Sequence, residues 1–333
     1  MLAVVVLPSP SPVPGRRVGR RVLRVLARVL VLVVIAVTAL AAGYAGWADL
    51  RPVRIDVGVG GTRVTAAGVD THVEAWPAEH PHGLPPLVLI PGFAESTYVW
   101  SRVAPLLARD RDVYAYDVRG YGTTDHLPPY TLAADADQLG GLLAALGLTG
   151  PRRPVVVGHS LGAAVALAQA LREPASVVGV VLANGDGTPF GVGPGWVRSL
   201  LVDPFASAVV DVVVRHRGPV RTLVAGVCGP GCPVDDAAVD RWRAPFLAEG
   251  GTEALVAVLR RPLIGLTYGQ EEAVRVPTGV IASSEDESFD LSSARATAAR
   301  LRTDRVAVLP GARHLALLGD PGAFAAALAT VLR

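Results

Sequence analysis

The sequence predicts an α/β fold, a mostly parallel eight-stranded sheet with helices on both faces, and three observations support this. Apolar runs such as 87–90 and 155–157 lack the polar alternation of a half-exposed strand, so they are typical of strands buried on both sides. Helical stretches separate most of these runs, and alternation of strand and helix favours a parallel sheet. The 333 residues are 51% hydrophobic and 18% charged, which is enough for one such core.

The pattern predicts the strands and helices in chain order. The predicted strands are 54–59, 71–76, 87–90, 112–117, 155–157, 177–183, 279–282 and 306–309. The predicted helices are 103–109, 132–146, 161–171, 292–301 and 323–332. One domain over residues 54–333 accommodates them all.

Residues 187–273 interrupt this alternation. They lose strand signals and gain amphipathic helical pieces that carry apolar and aromatic side chains: Trp196, Phe205, Trp242, Phe246, Leu255, Leu263, Leu266 and Tyr268. About 90 residues are too many for a plain connection between two strands. We therefore expect a helical cap over one edge of the sheet, with most of these side chains packed inside it.

The N-terminus predicts a membrane anchor. Residues 1–28 combine Pro, Ser and six Arg and are expected to be disordered. Residues 29–48 carry no charge, and as a helix they would span about 30 Å, the thickness of a bilayer core. Arginines are more frequent before this segment than after it, so the N-terminus is expected in the cytoplasm and the domain outside it. The sequence thus predicts a single-pass cell-membrane protein.

A cleaved signal peptide is the alternative, because small residues such as Ala39 and Ala41 could form a cleavage site and the domain would then be secreted. Cys228 and Cys232 are too few for a zinc site and form either a disulfide across a Gly-Pro-Gly loop or two unpaired thiols. An extracytoplasmic location would permit the disulfide.

The net charge is +2, and much of the positive charge lies in the first 28 residues. The remainder is mildly acidic, so no nucleic-acid partner is predicted. No P-loop or dinucleotide fingerprint occurs, and no cofactor or metal is predicted. The sequence makes no prediction of an oligomeric state.

The most specific motif is Gly158-His159-Ser160-Leu161-Gly162. It follows a β-branched run and opens a helix, as a G-x-S-x-G nucleophile turn requires. Ser160 would lie at the tip of a tight turn, where side chains at both glycine positions would clash. The motif therefore predicts Ser160 as a nucleophile.

At this point the chain resembles the α/β-hydrolase superfamily, in particular its serine-nucleophile, esterase- and lipase-like members with a helical cap. Pro91-Gly92-Phe93 follows the third strand, where the family keeps its oxyanion loop. The resemblance implies that the backbone N–H groups of Phe93 and Leu161 bind the oxyanion. It also implies that the segment Asp117–Asp125, similar to the family's turn after the fourth strand, is structural.

The resemblance also indicates an acid and a base. Asp286 follows the seventh strand where the family acid lies, although Ser283 replaces the usual Gly; Glu285, Glu287 and Asp186 are alternatives. His314 follows the eighth strand, the family position of the base, whereas His159 is expected to be a packing or oxyanion-loop residue. The order Ser160, Asp286, His314 is that of the fold.

These residues imply an acyl-enzyme mechanism in which His314 takes the proton of Ser160 and Asp286 orients the imidazole. The expected function is a membrane-anchored serine hydrolase acting on a small apolar ester or related acyl substrate. A serine nucleophile disfavours the superfamily's epoxide hydrolases and dehalogenases, which use Asp. The alternatives are a cofactor-free perhydrolase and a non-catalytic ligand-binding protein.

Overall fold

A computed structural model describes residues 15–49, 60–189, 205–260 and 265–333. The chain divides into two units, Met1–Arg51 and Pro52–Arg333. The first unit contains helix α1, Gly15–Asp49. Residues 15–28, predicted to be disordered, therefore belong to a helix. The physical reason is that the helix-breaking prolines end at Pro14, and Arg, Leu, Val and Ala residues follow.

The predicted transmembrane segment, 29–48, lies within α1. Throughout the part of the chain that the structure describes, however, no helix combines the length and apolarity needed to cross a membrane. The predicted transmembrane helix is therefore not supported.

The second unit is built on an eight-stranded, mostly parallel sheet, which confirms the predicted fold class. The strands are β1 (Thr62–Ala66), β2 (Val69–Trp76), β3 (Leu87–Ile90), β4 (Val113–Tyr116), β5 (Val155–His159), β6 (Gly179–Ala183), β7 (Thr278–Ser283) and β8 (Val306–Leu309). Their order in the sheet is β1-β2-β4-β3-β5-β6-β7-β8. β2 runs antiparallel to both of its neighbours, and the other pairs are parallel.

The first strand differs from the prediction. The segment predicted as a strand, 54–59, lies outside the described residues, and the structure forms β1 at Thr62–Ala66 instead. A two-residue turn joins β1 to β2, with Ala67 at φ 48° and Gly68 at φ 77°. Two successive positive φ values are the geometry that tight hairpins require. β1 was not predicted because its residues are mostly polar or small and its outer positions are exposed.

Helices cover both faces of the sheet: α2 (Ala104–Leu107), α3 (Leu132–Ala145), α4 (Leu161–Arg172), α10 (Leu291–Arg300), α11 (Ala316–Gly319) and α12 (Pro321–Val331). On β3, Val88 and Ile90 point into one buried cluster and Leu87 and Leu89 into another. Successive side chains of a strand point to opposite faces, so a strand covered on both sides must be apolar throughout. This is the origin of the uniform run in the sequence.

Within the described residues, five helices lie between β6 and β7 and are called the inserted helices below: α5 (Phe205–Arg215), α6 (Arg217–Cys228), α7 (Asp236–Leu247), α8 (Gly251–Leu259) and α9 (Tyr268–Glu272). A disulfide joins Cys228, at the end of α6, to Cys232. Of the aromatic and apolar residues noted in this range, Trp196 and Leu263 lie outside the described residues.

Candidate active site

Ser160 occupies a sharp turn between β5 and α4, with φ 50° and ψ −120°. A positive φ is unfavourable for a residue with a side chain and persists only where its surroundings enforce it. The two motif glycines make the turn possible. A Cβ on Gly158 would lie 2.2 Å from the carbonyl oxygen of Gly162, and one on Gly162 would lie 2.6 Å from that of Ile90. The motif is therefore a steric requirement of this turn.

Asp286 and His314 are joined by a hydrogen bond of 2.7 Å between Oδ2 and Nδ1. They follow β7 and β8, whose carboxyl ends lie side by side because these strands are parallel neighbours. Asp286 Oδ1 accepts hydrogen bonds from the backbone N–H groups of Ser288 and Phe289, at 2.8 and 3.1 Å. The carboxylate is thus held in one orientation.

The electrostatic surroundings keep Asp286 ionised. Burial raises the pKa of this carboxyl, but the hydrogen bond and charge of His314 and the donors around it outweigh burial, so its pKa lies below the ordinary value. An ionised carboxylate can only accept, so the His314 proton resides on Nδ1. Nε2 then carries the lone pair that a general base needs.

The alternative acids lie elsewhere. Glu285 and Glu287 are exposed, on either side of buried Asp286. Asp186 lines the cavity described below, and its Oδ1 accepts a hydrogen bond from the backbone N–H of Thr188 at 3.0 Å. Of the four carboxylates considered from the sequence, Asp286 is the one hydrogen-bonded to His314.

A cavity of about 560 Å³ brings the predicted site residues together, since Phe93, Ser160, Leu161 and His314 all line it. This volume is that of a typical small-molecule site. Leu161 is the first residue of α4, so its N–H has no acceptor within the helix. Ser160 Oγ makes no hydrogen bond to His314 within the described part of the chain. Such contacts are often long before substrate binds.

The inserted helices supply most of the apolar wall of the cavity. α5 and α6 contribute valines, α7 contributes two aromatic rings and α8 contributes leucines; examples are Val210, Val213, Val224, Trp242, Phe246 and Leu255. Polar side chains, including Asn184 and Ser288, are a minority of the lining. The cavity therefore suits a ligand that is apolar over most of its surface.

Asn184 is a site residue that sequence reasoning missed. It follows β6, is fully buried and has φ 48°, a conformation that Asn tolerates better than most residues. Its Nδ2 donates to Asp286 Oδ2 at 2.8 Å, the oxygen that also contacts His314. Its position in the sequence, directly after a predicted central strand, could have identified it, because functional residues of parallel sheets lie at the carboxyl ends of the strands.

A second missed feature is a buried network beside the nucleophile. His159 Nδ1 lies 2.9 Å from Glu95 Oε2, and His159 Nε2 lies 2.9 Å from the backbone oxygen of His314. Glu95 Oε2 also accepts a hydrogen bond from the N–H of Gly92 at 2.6 Å. Glu95, His159 and His314 offer possible ligand atoms within 4.8 Å of one another. Both nitrogens of His159 already make hydrogen-bond contacts, so we interpret the three residues as a hydrogen-bond network. The expected absence of a metal stays a prediction.

Comparison with known sequences places this chain in a family. A model described as the alpha/beta hydrolase family matches residues 87–327. A protein from Enterobacter cloacae, named as a RutD carbamate hydrolase, is 40% identical over 105 residues, which are 31% of this chain and 38% of that protein. Its counterpart from Shigella flexneri is 28% identical over 260 residues, covering 73% of this chain and 90% of that protein. The first match thus spans less than half of the relative.

Solved structures give the same fold. A membrane phospholipase A described as a bacterial virulence factor superimposes with a TM-score of 0.65 at 21% identity, covering 94% of this chain and 98% of that one. An esterase from Thermogutta terrifontis superimposes with a TM-score of 0.65 at 23% identity, covering 83% and 98%. At these identities the likeness shows the fold alone.

Proposed function

This chain belongs to the alpha/beta hydrolase family, and on that premise we propose that it is a serine hydrolase that cleaves a carboxylic ester or related acyl substrate. The observation that carries the proposal is that His314, hydrogen-bonded to buried Asp286, lines the same cavity as Ser160. A nucleophile, a base and a group that orients the base are the minimum that acyl transfer needs.

In the proposed reaction His314 Nε2 removes the proton of Ser160 Oγ as the oxygen attacks the acyl carbon. The imidazolium that forms is stabilised by ionised Asp286 and then donates its proton to the leaving alcohol. Water, deprotonated by the same nitrogen, attacks the acyl-enzyme and releases the acid. Every proton taken from a nucleophile is returned, first to the leaving group and then to Ser160.

The negative charge of the tetrahedral intermediate needs donors that are already in position. We assign this role to the backbone N–H groups of Phe93 and Leu161. The position of Leu161 at the start of α4 supports its assignment, because helix N-termini favour negative charge. Phe93, like Ser160, lines the cavity.

The proposed substrate is small and mostly apolar, because the inserted helices line the cavity with valine, leucine and aromatic side chains. We propose that these helices act as a cap that selects the substrate. A carbamate would present a similar acyl carbon to Ser160, and the activity named for the RutD relatives makes carbamates a useful second set of test compounds.

We also propose that the domain functions outside the cytoplasm. The Cys228–Cys232 disulfide supports this location, since disulfides persist mainly in oxidising compartments. Association of the N-terminal helix with a membrane stays a prediction.

The test is to incubate the full chain with p-nitrophenyl esters of increasing acyl length, aryl carbamates and a fluorophosphonate probe. Ser160→Ala should lose both turnover and labelling. Ser292→Ala, at an exposed serine that bonds Asp290, is the matched control and should retain both. Equal turnover in Ser160→Ala and the unchanged protein would rule out the proposal. Halide oxidation with peroxide and a carboxylic acid, without ester cleavage, would favour a perhydrolase.

A further inference from the structure

The residue before the proposed nucleophile, His159, has an acceptor at each of its ring nitrogens. Nδ1 faces the carboxylate of Glu95 and Nε2 faces the backbone carbonyl of His314, both at 2.9 Å. Neither acceptor can donate a proton, since the carboxylate is acceptor-only when ionised and a carbonyl always is. With Glu95 ionised, both contacts are hydrogen bonds only if both nitrogens of His159 carry protons.

The surroundings of His159 are consistent with this charged form. Its side chain is fully buried, and Glu95 is 6% exposed. Burial lowers the pKa of His159, but the charge of Glu95 and the hydrogen bonds to Glu95 and His314 outweigh it and raise the pKa above the ordinary value. Asp286 adds a further raising effect, and the His314 ring lies 4.9 Å away between centroids. A further ring neighbour, Trp100, contacts His159 edge-on at 6.4 Å between ring centroids.

The network connects two loops of the proposed active site. Glu95 Oε2 accepts from the N–H of Gly92, in the loop that carries Phe93, while His159 donates to the main chain of His314. His159 itself belongs to β5 and immediately precedes Ser160. The segments that carry the nucleophile, the base and one oxyanion donor therefore meet at this pair.

We propose that Glu95 and His159 form a buried ion pair that positions His314: Glu95 holds a second proton on His159, and the N–H at Nε2 fixes the backbone of the base. His159 is thus a positioning residue, because it acts through His314 and is not among the residues that line the cavity. The inference rests on the proposed function, since it treats His314 as the base.

The ion pair can be tested without turnover by ¹⁵N NMR of the full chain labelled at histidine. Both nitrogens of His159 should show protonated shifts at pH 7, above the ordinary histidine pKa of about 6.5. A single protonated nitrogen at that pH would overturn the ion pair, whether or not the protein is a hydrolase. The same spectra report the Nδ1 proton of His314 in its bond to Asp286, which serves as the readout of positioning.

Glu95→Gln separates charge from geometry. The glutamine oxygen, in the place of Oε2, can accept from Gly92 and from His159, but without the carboxylate charge His159 keeps one proton and loses one of its two hydrogen bonds. This variant should show one protonated nitrogen on His159 and a kcat between those of the unchanged protein and of His159→Ala. Two protonated nitrogens in Glu95→Gln would contradict the role given to Glu95.

His159→Ala removes the donor to His314. Its kcat should fall about 10- to 100-fold with little change in KM, since small displacements of catalytic groups have effects of this size. The Nδ1 proton signal of His314 should broaden or shift. Unchanged kcat and an unchanged His314 signal would overturn the positioning role. If the variant does not fold, His159→Phe, which keeps a ring of similar size but has no donor, provides the same comparison.

His72→Gln is the matched control. His72 is also buried between a carboxylate, Asp117 at 3.0 Å, and a backbone oxygen, that of Gly60 at 2.6 Å, but it lies on β2 and lines no part of the cavity. It should lower stability while leaving kcat per folded molecule and the His314 signal unchanged. An equal loss of kcat in both histidine variants would assign the effect to general destabilisation and overturn the proposal.

Discussion

Asp286 Oδ2 lies 2.7 Å from His314 Nδ1, and the same oxygen receives the side-chain amide of Asn184. One carboxylate oxygen thus links residues that follow β6, β7 and β8. Whatever disturbs this oxygen should affect the protonation and the orientation of the proposed base together.

Asp286→Asn tests the acid. The amide can present a donor to Nδ1, which moves the His314 proton to the wrong nitrogen, so kcat should fall about 10³- to 10⁴-fold with an intact fold. Steady-state kinetics on a p-nitrophenyl ester measure this, and circular dichroism checks folding. Glu285→Gln, at the exposed neighbour, is the control. A large loss in Glu285→Gln with activity retained in Asp286→Asn would show that the acid is misassigned.

Asn184→Gly removes the second donor to Asp286 Oδ2 without the strain that another side chain would meet at φ 48°. The pKa of Asp286 is depressed in the folded protein, so this group contributes stability that is present above its unfolded pKa of about 3.9 and lost as pH falls through the folded pKa. Because the variant lessens that depression, acid unfolding should begin at a higher pH. Acid titrations followed by circular dichroism compare the two proteins, and coincident curves would contradict the prediction.

Gly158→Ala should destabilise the protein strongly, by about 3 kcal/mol or more, because its Cβ would overlap backbone atoms of Gly162 that cannot move independently. Gly226→Ala is the matched control. Gly226 lies in α6 with no atom within 4 Å of an added Cβ, so alanine should stabilise the helix by about 0.5–1 kcal/mol. Thermal and urea denaturation measure both. Similar stabilities for the two variants would contradict the steric account of the turn.

Val224→Phe fills part of the cavity. Val224 is buried on α6 and lines the wall, so a larger ring should reduce kcat/KM for long acyl chains much more than for acetyl esters. Val212→Phe, at an exposed position of α5 outside the lining, should leave the chain-length profile unchanged. If both variants show the same profile as the unchanged protein, the inserted helices do not form the acyl site.

Reduction of the Cys228–Cys232 disulfide should lower stability by about 2 kcal/mol, the chain-entropy value for a loop this short. Cys228 is buried and its Sγ lies 3.8 Å from the carbonyl oxygen of Leu315, next to His314. Denaturation of the full chain with and without dithiothreitol measures the effect, and Cys228→Ala/Cys232→Ala should be insensitive to the reductant. If dithiothreitol does not lower the melting temperature of the protein that retains both cysteines, the prediction is refuted.

The sequence was sufficient for features that depend on local sterics. Gly158 and Gly162 fix the turn at Ser160, and uniform apolar runs identify strands covered on both faces. β1 was missed because an exposed edge strand has few apolar residues. The local feature that could have indicated the hairpin was the Ala67-Gly68 turn. The helical start of α1 was missed because the arginine-rich residues 16–28 directly follow a proline-rich segment, and the composition of the two together is typical of a disordered tail.

The contacts of Asn184, Glu95 and His159 could not be predicted, because they join residues far apart in the sequence. His159 and the His314 carbonyl are separated by 155 positions, and only the packing of β5 beside the loops after β3 and β8 brings their partners together. A buried polar residue in a sequence indicates that a partner exists and does not say which one.

β6 and β7 are paired neighbours, with Ala183 opposite Ile281. The segment that contains the inserted helices therefore begins and ends at adjacent strands of the sheet. The proposed catalytic residues lie at the ends of sheet strands or in the loops that follow them, whereas most of the apolar residues that would contact the substrate lie in the inserted helices. Replacement of the inserted segment would therefore change the substrate that the protein accepts while leaving the sheet and the proposed catalytic residues in place.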